Sequence, residues 1–486
     1  MGKALAGLKP EKLWNHFEAM CGIPHPSRKE AAIAAYVIDF AKKHNLEYAT
    51  DDFGNIIVRK PATKGKENLM KVVMQGHLDM VPEKNSDVNH DFEKDPIQCY
   101  VDGDWVKAKG TTLGADNGIG GAAALAVLES TDIEHGPIEA LFTLDEETGL
   151  NGAQALKPGF SSADILLNLD SEEDGAVYIG CSGGKNTYAK FSFKPEEIKA
   201  GSEVINIGVT GLMGGHSGLD IHQGRGNAVK MMSRLLWQLK KALPFQLISY
   251  NGGSKHNAIP RECFAVIAVA KQDSDKAVNL LNNLGKIISA EISNVEKNIK
   301  IEAVKGDYKG TAIETAVAVN LINAIYAVPH GVIKMSADIE GLVETSTNMG
   351  VIVTEKDAVL LTTSQRSSVE SEKNDASDRV GNVFAMANAE VTTGDGYPGW
   401  APNIHSPILK VMKGIFKDKF GKEPEVKAIH AGLECGIIKE RYPDMDMISF
   451  GPTIMGAHSP DERVQISTVE KFWDLLVYTL KNIPVK

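Results

Sequence analysis

The chain has 486 residues, 43% hydrophobic and 24% charged, which is ordinary for a water-soluble globular protein and too long for one hydrophobic core. Sixty-three acidic against 52 basic residues leave a net charge of −11 with no Lys/Arg-rich tract, which argues against nucleic acid as a partner. No apolar run approaches the roughly 20 residues of a membrane-spanning helix, so no membrane partner is expected either.

The opening "MGKALAGLKPEKLWNHF" has no apolar signal core, and Ala6 stands where a myristoylation signal needs Ser or Thr, so a cytoplasmic location is expected. The first 186 residues then alternate helical patterns with short apolar runs. "EAAIAAYVIDFAKKH" (30–44) and the Ala-rich stretch after Gly118 read as helices, and "KVVMQ" (71–75), "IEALFTL" (138–144) and "ADILLNL" (163–169) as buried strands. That rhythm defines an α/β sheet. Next come longer alternating strands, "EVINIGVTG" (203–211) and "ECFAVIAVA" (262–270), separated by the helical "NAVKMMSRLLWQLKKA" and "KAVNLLNNLGKIISAEI". This order is that of a split βαβ, ferredoxin-like unit, and its texture recurs within the insert, with "HNAIPRECFAVIAVAKQ" and "NMGVIVTEKDAVLLTTSQR" in similar places. The Gly/Pro-rich "TTGDGYPGWAPN" (392–403) marks a return to the first texture, with the strand "MDMISF" (445–450) and the amphipathic helix "STVEKFWDLLVYTLKNI" (467–483). The fold class expected is α/β. A mixed, mainly parallel sheet between helices is drawn from 1–186 and 399–486, and an α+β domain is inserted at 187–398.

Cys21, Cys99, Cys181, Cys263 and Cys435 are scattered and never form a C-x-x-C pair, so neither a disulfide framework nor a thiolate metal site is indicated. The chemistry lies after the strands. Ligands of open α/β sheets bind at the carboxyl ends of strands, and these ends deliver Gly76-His77-Leu78-Asp79, Asp145-Glu146-Glu147, Asp170 and, beyond a turn, His458; the glycine-rich "TTLGADNGIGG" adds Asp116. Singly, such residues serve as helix caps or solvated loops. Together, imidazoles and carboxylates converging on one crevice need positive charge between them, and N/O donors suit zinc or a similar divalent ion. Five candidates exceed the three protein ligands of one catalytic zinc, so two metals sharing a carboxylate fit better. Asp79, two residues beyond His77, would orient the imidazole if the strand continued, and Glu146 could act as general base.

Two rival readings fail on local structure. Gly118-Ile119-Gly120-Gly121-Ala122-Ala123 fits a dinucleotide fingerprint, but a polar, glycine-broken "VKAKGTTLGADN" stands where a buried strand is needed. Ser217 in "GGHSG" lacks the G-x-S-x-G spacing of a serine hydrolase, since Leu219 occupies the final glycine position.

"GHLDMVP", "GTTLGADNGIG", "DEETG", "LNLDSEE", "GGHSG", "HNAIPR", "IHAGLECG" and "GPTIMGAHSPDE" occur in that order over nearly the whole chain. The series resembles the motifs of the zinc-dependent exopeptidases that include carnosinases and aminoacylases, and within them those of aminoacyl-histidine (Xaa-His) dipeptidases. The resemblance implies metal-dependent hydrolysis of dipeptides, Xaa-His and carnosine-like ones included, with two Zn2+ per chain and Mn2+ or Co2+ as substitutes. It implies His77, Asp116 and Asp170 as ligands of one ion, and Asp116, Glu147 and His458 as ligands of the other. It also implies Asp79 as orienting acid, Glu146 as general base and His216 as a lid histidine that stabilises the oxyanion. Arg366 would hold the substrate carboxylate, with help from Asn257, for which Asn348 competes, and Glu434 would stand in a substrate-pocket loop. Asp rather than Glu at 170 favours a peptidase; a related metal-dependent aminoacylase or a tripeptidase is the alternative. The insert would then be a lid and dimerisation domain, and a homodimer is expected.

Overall fold

The computed structural model describes residues 4–486. They divide into two compact units, one drawn from 4–181, Trp400–Ala428 and Leu433–Lys486, the other from Ser182–Gly399 with Ile429–Gly432.

The first unit is built on an eight-stranded sheet whose centre is four parallel strands, Ile138–Thr143, Val72–His77, Ile165–Asn168 and Asp446–Ser449 in that spatial order. On one side Ile56–Lys60 and then Glu47–Thr50 are added by successive antiparallel pairings, and on the other Ala176–Cys181 runs antiparallel to Asp446–Ser449 and is followed by Glu425–Ile429. Every residue of Val72–His77, Ile138–Thr143 and Ile165–Asn168 is buried. A sheet covered on both faces has no solvent side, which is why these strands read as unbroken apolar runs rather than alternating ones. Parallel strands also end on the same side, so the residues after them arrive at one edge.

The glycines of the false fingerprint serve packing in the helix Ala115–Glu129, where every residue from Asn117 to Leu128 is buried. Asn117 turns its amide into the sheet and donates from Nδ2 to Leu169 O at 2.7 Å. A Cβ on Gly120 would stand 2.5 Å from that same carbonyl oxygen and 2.5 Å from Asn117 Oδ1, and one on Gly76 only 2.1 Å from Asn117 Oδ1. Helix and strand approach too closely for any side chain at either position. Gly120→Ala should therefore lower unfolding free energy by about 1–3 kcal/mol, the usual result of overpacking; a denaturant midpoint equal to that of the parent would show that the contact gives way.

The second unit carries a nine-stranded sheet in which two split βαβ halves lie edge to edge. One half takes its strands from Ser202–Thr210, Gln246–Gly252, Cys263–Ala270 and Lys300–Gly306. The other takes them from Gly183–Ser192, Val343–Thr354, Ala358–Ser367 and Glu390–Thr393, with Gly331–Met335 added beside Val343–Thr354. The first half is inserted between the opening strand of the second and its first helix, Thr315–Ala327. The halves join where Gln246–Gly252 meets Val343–Thr354, pairing Gly252 with Ile352. Their helices share one apolar core, with Leu236, Leu281, Leu321 and Phe384 each contributed by a different helix.

All five cysteines are free thiols. Among the described residues no helix is long and apolar enough to cross a membrane.

Candidate metal centre

The strand Val72–His77 stops at His77, where its neighbour also ends at Thr143. Asp79 therefore does not share a strand face with His77, as the spacing suggested. It turns back from the following loop, its carbonyl oxygen 3.0 Å and its Oδ1 3.4 Å from His77 Nδ1. The same carboxylate accepts from Glu146 N at 2.9 Å, Glu147 N at 3.2 Å and Ser27 Oγ at 2.8 Å. One buried acid thus orients the imidazole and the Glu146-Glu147 turn together, and leaves His77 Nε2 free to face the site.

His77 Nε2 lies 3.1 Å from Asp116 Oδ1 and 3.4 Å from Asp170 Oδ1. The other oxygen of Asp116, Oδ2, lies 3.2 Å from His458 Nε2, which is itself 3.1 Å from Glu147 Oε2. The five side chains converge as two donor sets, His77/Asp116/Asp170 and Asp116/Glu147/His458, sharing Asp116. An oxygen of Glu146 lies within 4.8 Å of ligand atoms of His77 and Glu147.

The donors suit a divalent cation. Ligands held at about 2.0–2.2 Å around a tetrahedral zinc stand about 3.3 Å apart, and the spacings above run from 3.1 to 3.4 Å. Glu147 Oε1 and Asp170 Oδ1 are buried without a hydrogen-bond partner, an arrangement that costs stability unless something positive completes it.

The protonation equilibria reflect the same crowding. Burial opposes the charge on His77, but Asp170, Asp116 and Asp79 outweigh it and hold the imidazole well above its ordinary pKa. Hydrogen bonds to Asp116 and Glu147 raise His458 to about 11. Burial, reinforced by Asp116 and Glu434 and only partly offset by His77, pushes Asp170 up to about 7. Burial also lifts Glu146 well above the carboxylate range; His77 opposes this, while Asp170, Glu434 and Glu147 add to it. Asp79 moves the other way, to about 2, because bonds from His77, Glu146 N and Ser27 overcome its burial. Two neighbouring carboxylates thus sit in opposite states, one poised to hold a proton and one locked as an anion, which is the pattern of an acid/base site.

Glu434 opens the helix Glu434–Arg441 and is fully buried in the first unit. Its Oε2 accepts from Gln75 Nε2 at 2.6 Å and Thr143 Oγ1 at 2.8 Å, while Oε1 has no partner.

In the second unit, His216 Nδ1 accepts from the backbone N–H of Gly218 at 3.2 Å and of Leu219 at 3.0 Å. Burial and the Arg366 charge lower its pKa to about 4. The ring is therefore neutral at pH 7 with its hydrogen on Nε2, a directed donor. Arg366 is buried, its Nε donating to Ser217 Oγ at 3.3 Å and its Nη1 to Tyr397 OH at 2.8 Å. Asn348 Nδ2 donates to the carbonyls of His256 (3.1 Å) and Ala258 (2.9 Å) while its Oδ1 is buried without a partner, and Asn257 is exposed with its backbone carbonyl accepting from Ser217 N at 2.9 Å. Tyr397, His430 and Glu462 went unremarked in the sequence; His430 Nε2 lies 2.7 Å from Ser346 Oγ. The signal for His430 and Glu462 was available, since both fall inside recognised motifs, "IHAGLECG" and "GPTIMGAHSPDE".

A parallel-sheet edge that gathers two imidazoles and a set of carboxylates around a shared Asp defines a metal-dependent hydrolase. Residues 73–482 match Peptidase family M20/M25/M40, and the chain belongs to that family; it is a peptidase, and a metal cofactor follows from its membership. It is 45% identical over 484 residues, 99% of both chains, to the cytosol non-specific dipeptidase of Escherichia coli (strain K12). The crystal structure of the aminoacylhistidine dipeptidase from Vibrio alginolyticus superposes with a TM-score of 0.94 at 45% identity, covering 99% of this chain and 98% of that one. A Staphylococcus aureus tripeptidase shares the fold at a TM-score of 0.57 and 16% identity, over 98% of this chain and 99% of that one.

Proposed function

We propose that the protein hydrolyses dipeptides, Xaa-His dipeptides among them, with two divalent ions, zinc by default, held by His77, Asp116 and Asp170 and by Asp116, Glu147 and His458. The observation that carries the reading is Asp116, whose two oxygens face two different imidazoles at 3.1 and 3.2 Å. The names of its relatives, a non-specific dipeptidase and an aminoacylhistidine dipeptidase, agree on dipeptides and differ on breadth.

When bound, such ions supply Lewis acidity, bringing the pKa of water towards neutral and polarising the scissile carbonyl. Glu146 takes the proton of the attacking water and delivers it to the leaving amine, a transfer suited to a carboxyl whose pKa burial has raised. Asp79, kept anionic, holds His77 in one orientation. His216 is assigned the hydrogen bond to the developing oxyanion, because its neutral ring presents Nε2–H. Arg366 is assigned the substrate carboxylate, and Asn257 and Glu434 lesser contacts with substrate. A cytoplasmic location and assembly as a homodimer belong to the same reading.

A panel of Xaa-His dipeptides, other dipeptides, tripeptides and N-acyl amino acids, assayed with and without a chelator, tests it. Dipeptides should be cleaved, and the chelator should stop cleavage until metal is restored. Preference for N-acyl amino acids would make the protein an aminoacylase, preference for tripeptides a tripeptidase, and cleavage indifferent to chelator would overturn the metal mechanism.

A further inference from the structure

The motif "GPTIMGAHSPDE" contains one residue that the chemistry above leaves unused. Glu462 is 3% exposed, and its carboxylate accepts from four successive backbone N–H groups. Oε2 takes those of Leu113 at 2.7 Å and Gly114 at 3.0 Å, and Oε1 those of Ala115 at 2.7 Å and Asp116 at 3.2 Å. These donors belong to the segment that leads into the helix Ala115–Glu129, where Gly114 has no side chain to satisfy them and Asp116 and Asn117 depart from helical dihedral angles. The anion is supplied by a residue 346 positions from Asp116 in the chain.

The other end of Glu462 is equally constrained. Its backbone N–H bonds to Ser459 O at 3.0 Å, and Ser459 N to Gly456 O at 3.2 Å, closing a compact turn over Gly456–Glu462. His458 sits in this turn with φ at 62°, a left-handed conformation that costs a non-glycine residue about 1–2 kcal/mol and persists only where its surroundings hold it. One carboxylate thus ties the turn that carries His458 to the segment that carries Asp116.

We infer that Glu462 is a positioning residue: it sets the spacing between Asp116 and His458 and thereby the affinity of the metal position these two share with Glu147. The inference rests on the reading of that donor set as a metal position. Glu462 touches neither substrate nor ion. It acts by fixing two ligands that come from distant parts of the chain, so its loss falls hardest on the Asp116/Glu147/His458 position, which takes two ligands from the tied segments, and less on the His77/Asp116/Asp170 position, which takes only Asp116 from them.

The test is zinc binding to the full-length, metal-stripped protein by competition with a chromophoric chelator, resolving two binding steps. Glu462→Gln keeps the shape but turns an amide N–H towards backbone donors. It should weaken one step by about 10–100-fold, the range typical for loss of a residue that orients a ligand, and the other by a clearly smaller factor. In a His458→Ala background Glu462→Gln should change the remaining step by no more than that smaller factor. Equal weakening of both steps, or two unchanged steps with only a lowered melting temperature, would make Glu462 merely structural and overturn the inference. If Glu462→Gln does not fold, Glu462→Asp, which keeps the charge but is one methylene short, is measured against the same two criteria. His458→Ala separates the failures: if it weakens neither step, the metal-position reading falls; if it weakens one and Glu462→Gln does not, only the positioning role falls.

Discussion

Glu146→Gln is expected to retain its metal and to lose about 10²–10⁴-fold in kcat, the usual contribution of a general base. The substitution removes a proton acceptor and little else. The main chain at 146 is held independently of the side chain, because its N–H donates to Asp79 Oδ1 at 2.9 Å. Glu147, the neighbouring ligand candidate, is fixed by the same Asp79 carboxylate. Substrate binding should therefore survive, and the loss should fall on kcat with KM nearly unchanged, which marks an interaction made only in the transition state. The check is steady-state kinetics on a dipeptide alongside metal analysis of the same preparation. Turnover within a few-fold of the parent would eliminate Glu146 as the base and leave its raised pKa as a consequence of burial alone.

Asp116→Asn should abolish chelator-sensitive turnover and reduce the metal content of the purified protein below that of the parent. An amide offers one oxygen where the carboxylate offers two, and it brings no charge. In the parent, bonds to His458 and His77 hold the Asp116 carboxyl well below the ordinary carboxylate range although burial opposes its charge. The direction of that shift reflects the attraction between the anion and the two imidazoles that face it. Without it, donors that lie at 3.1 and 3.2 Å lose the partner they share, and both donor sets lose a member. Elemental analysis and activity with added metal form the readout. Full metal content with undiminished turnover would show that Asp116 is not shared between ions.

Much of this site was legible before folding was considered. "KVVMQ", "IEALFTL" and "ADILLNL" read as strands because burial on both faces requires unbroken apolar runs, and the residues behind them were the natural place to look for chemistry. Asp79 shows where such reading stops. Counting residues placed it on the strand face of His77, but the strand ends with its neighbour at Thr143, and the carboxylate reaches the ring from a loop instead. The fingerprint at Gly118 likewise matched in letters, whereas its Gly120 is required by Asn117 and the Leu169 carbonyl, contacts that no linear pattern displays.

Periodicity and residue type were sufficient for the α/β class, for the interruption of one texture by another and for the identity of the five metal-ligand candidates. These depend on local preferences: which face is apolar, which residue follows a strand and which side chains carry N or O donors. Contacts between remote residues carry no such local mark. That Asp116 turns one oxygen to His77 and the other to His458, that Glu462 closes on four amides from the far end of the chain, and that one split βαβ half is nested inside the other are all consequences of which strands pair. Pairing is settled by packing over the whole chain, so these features exist only once it has folded.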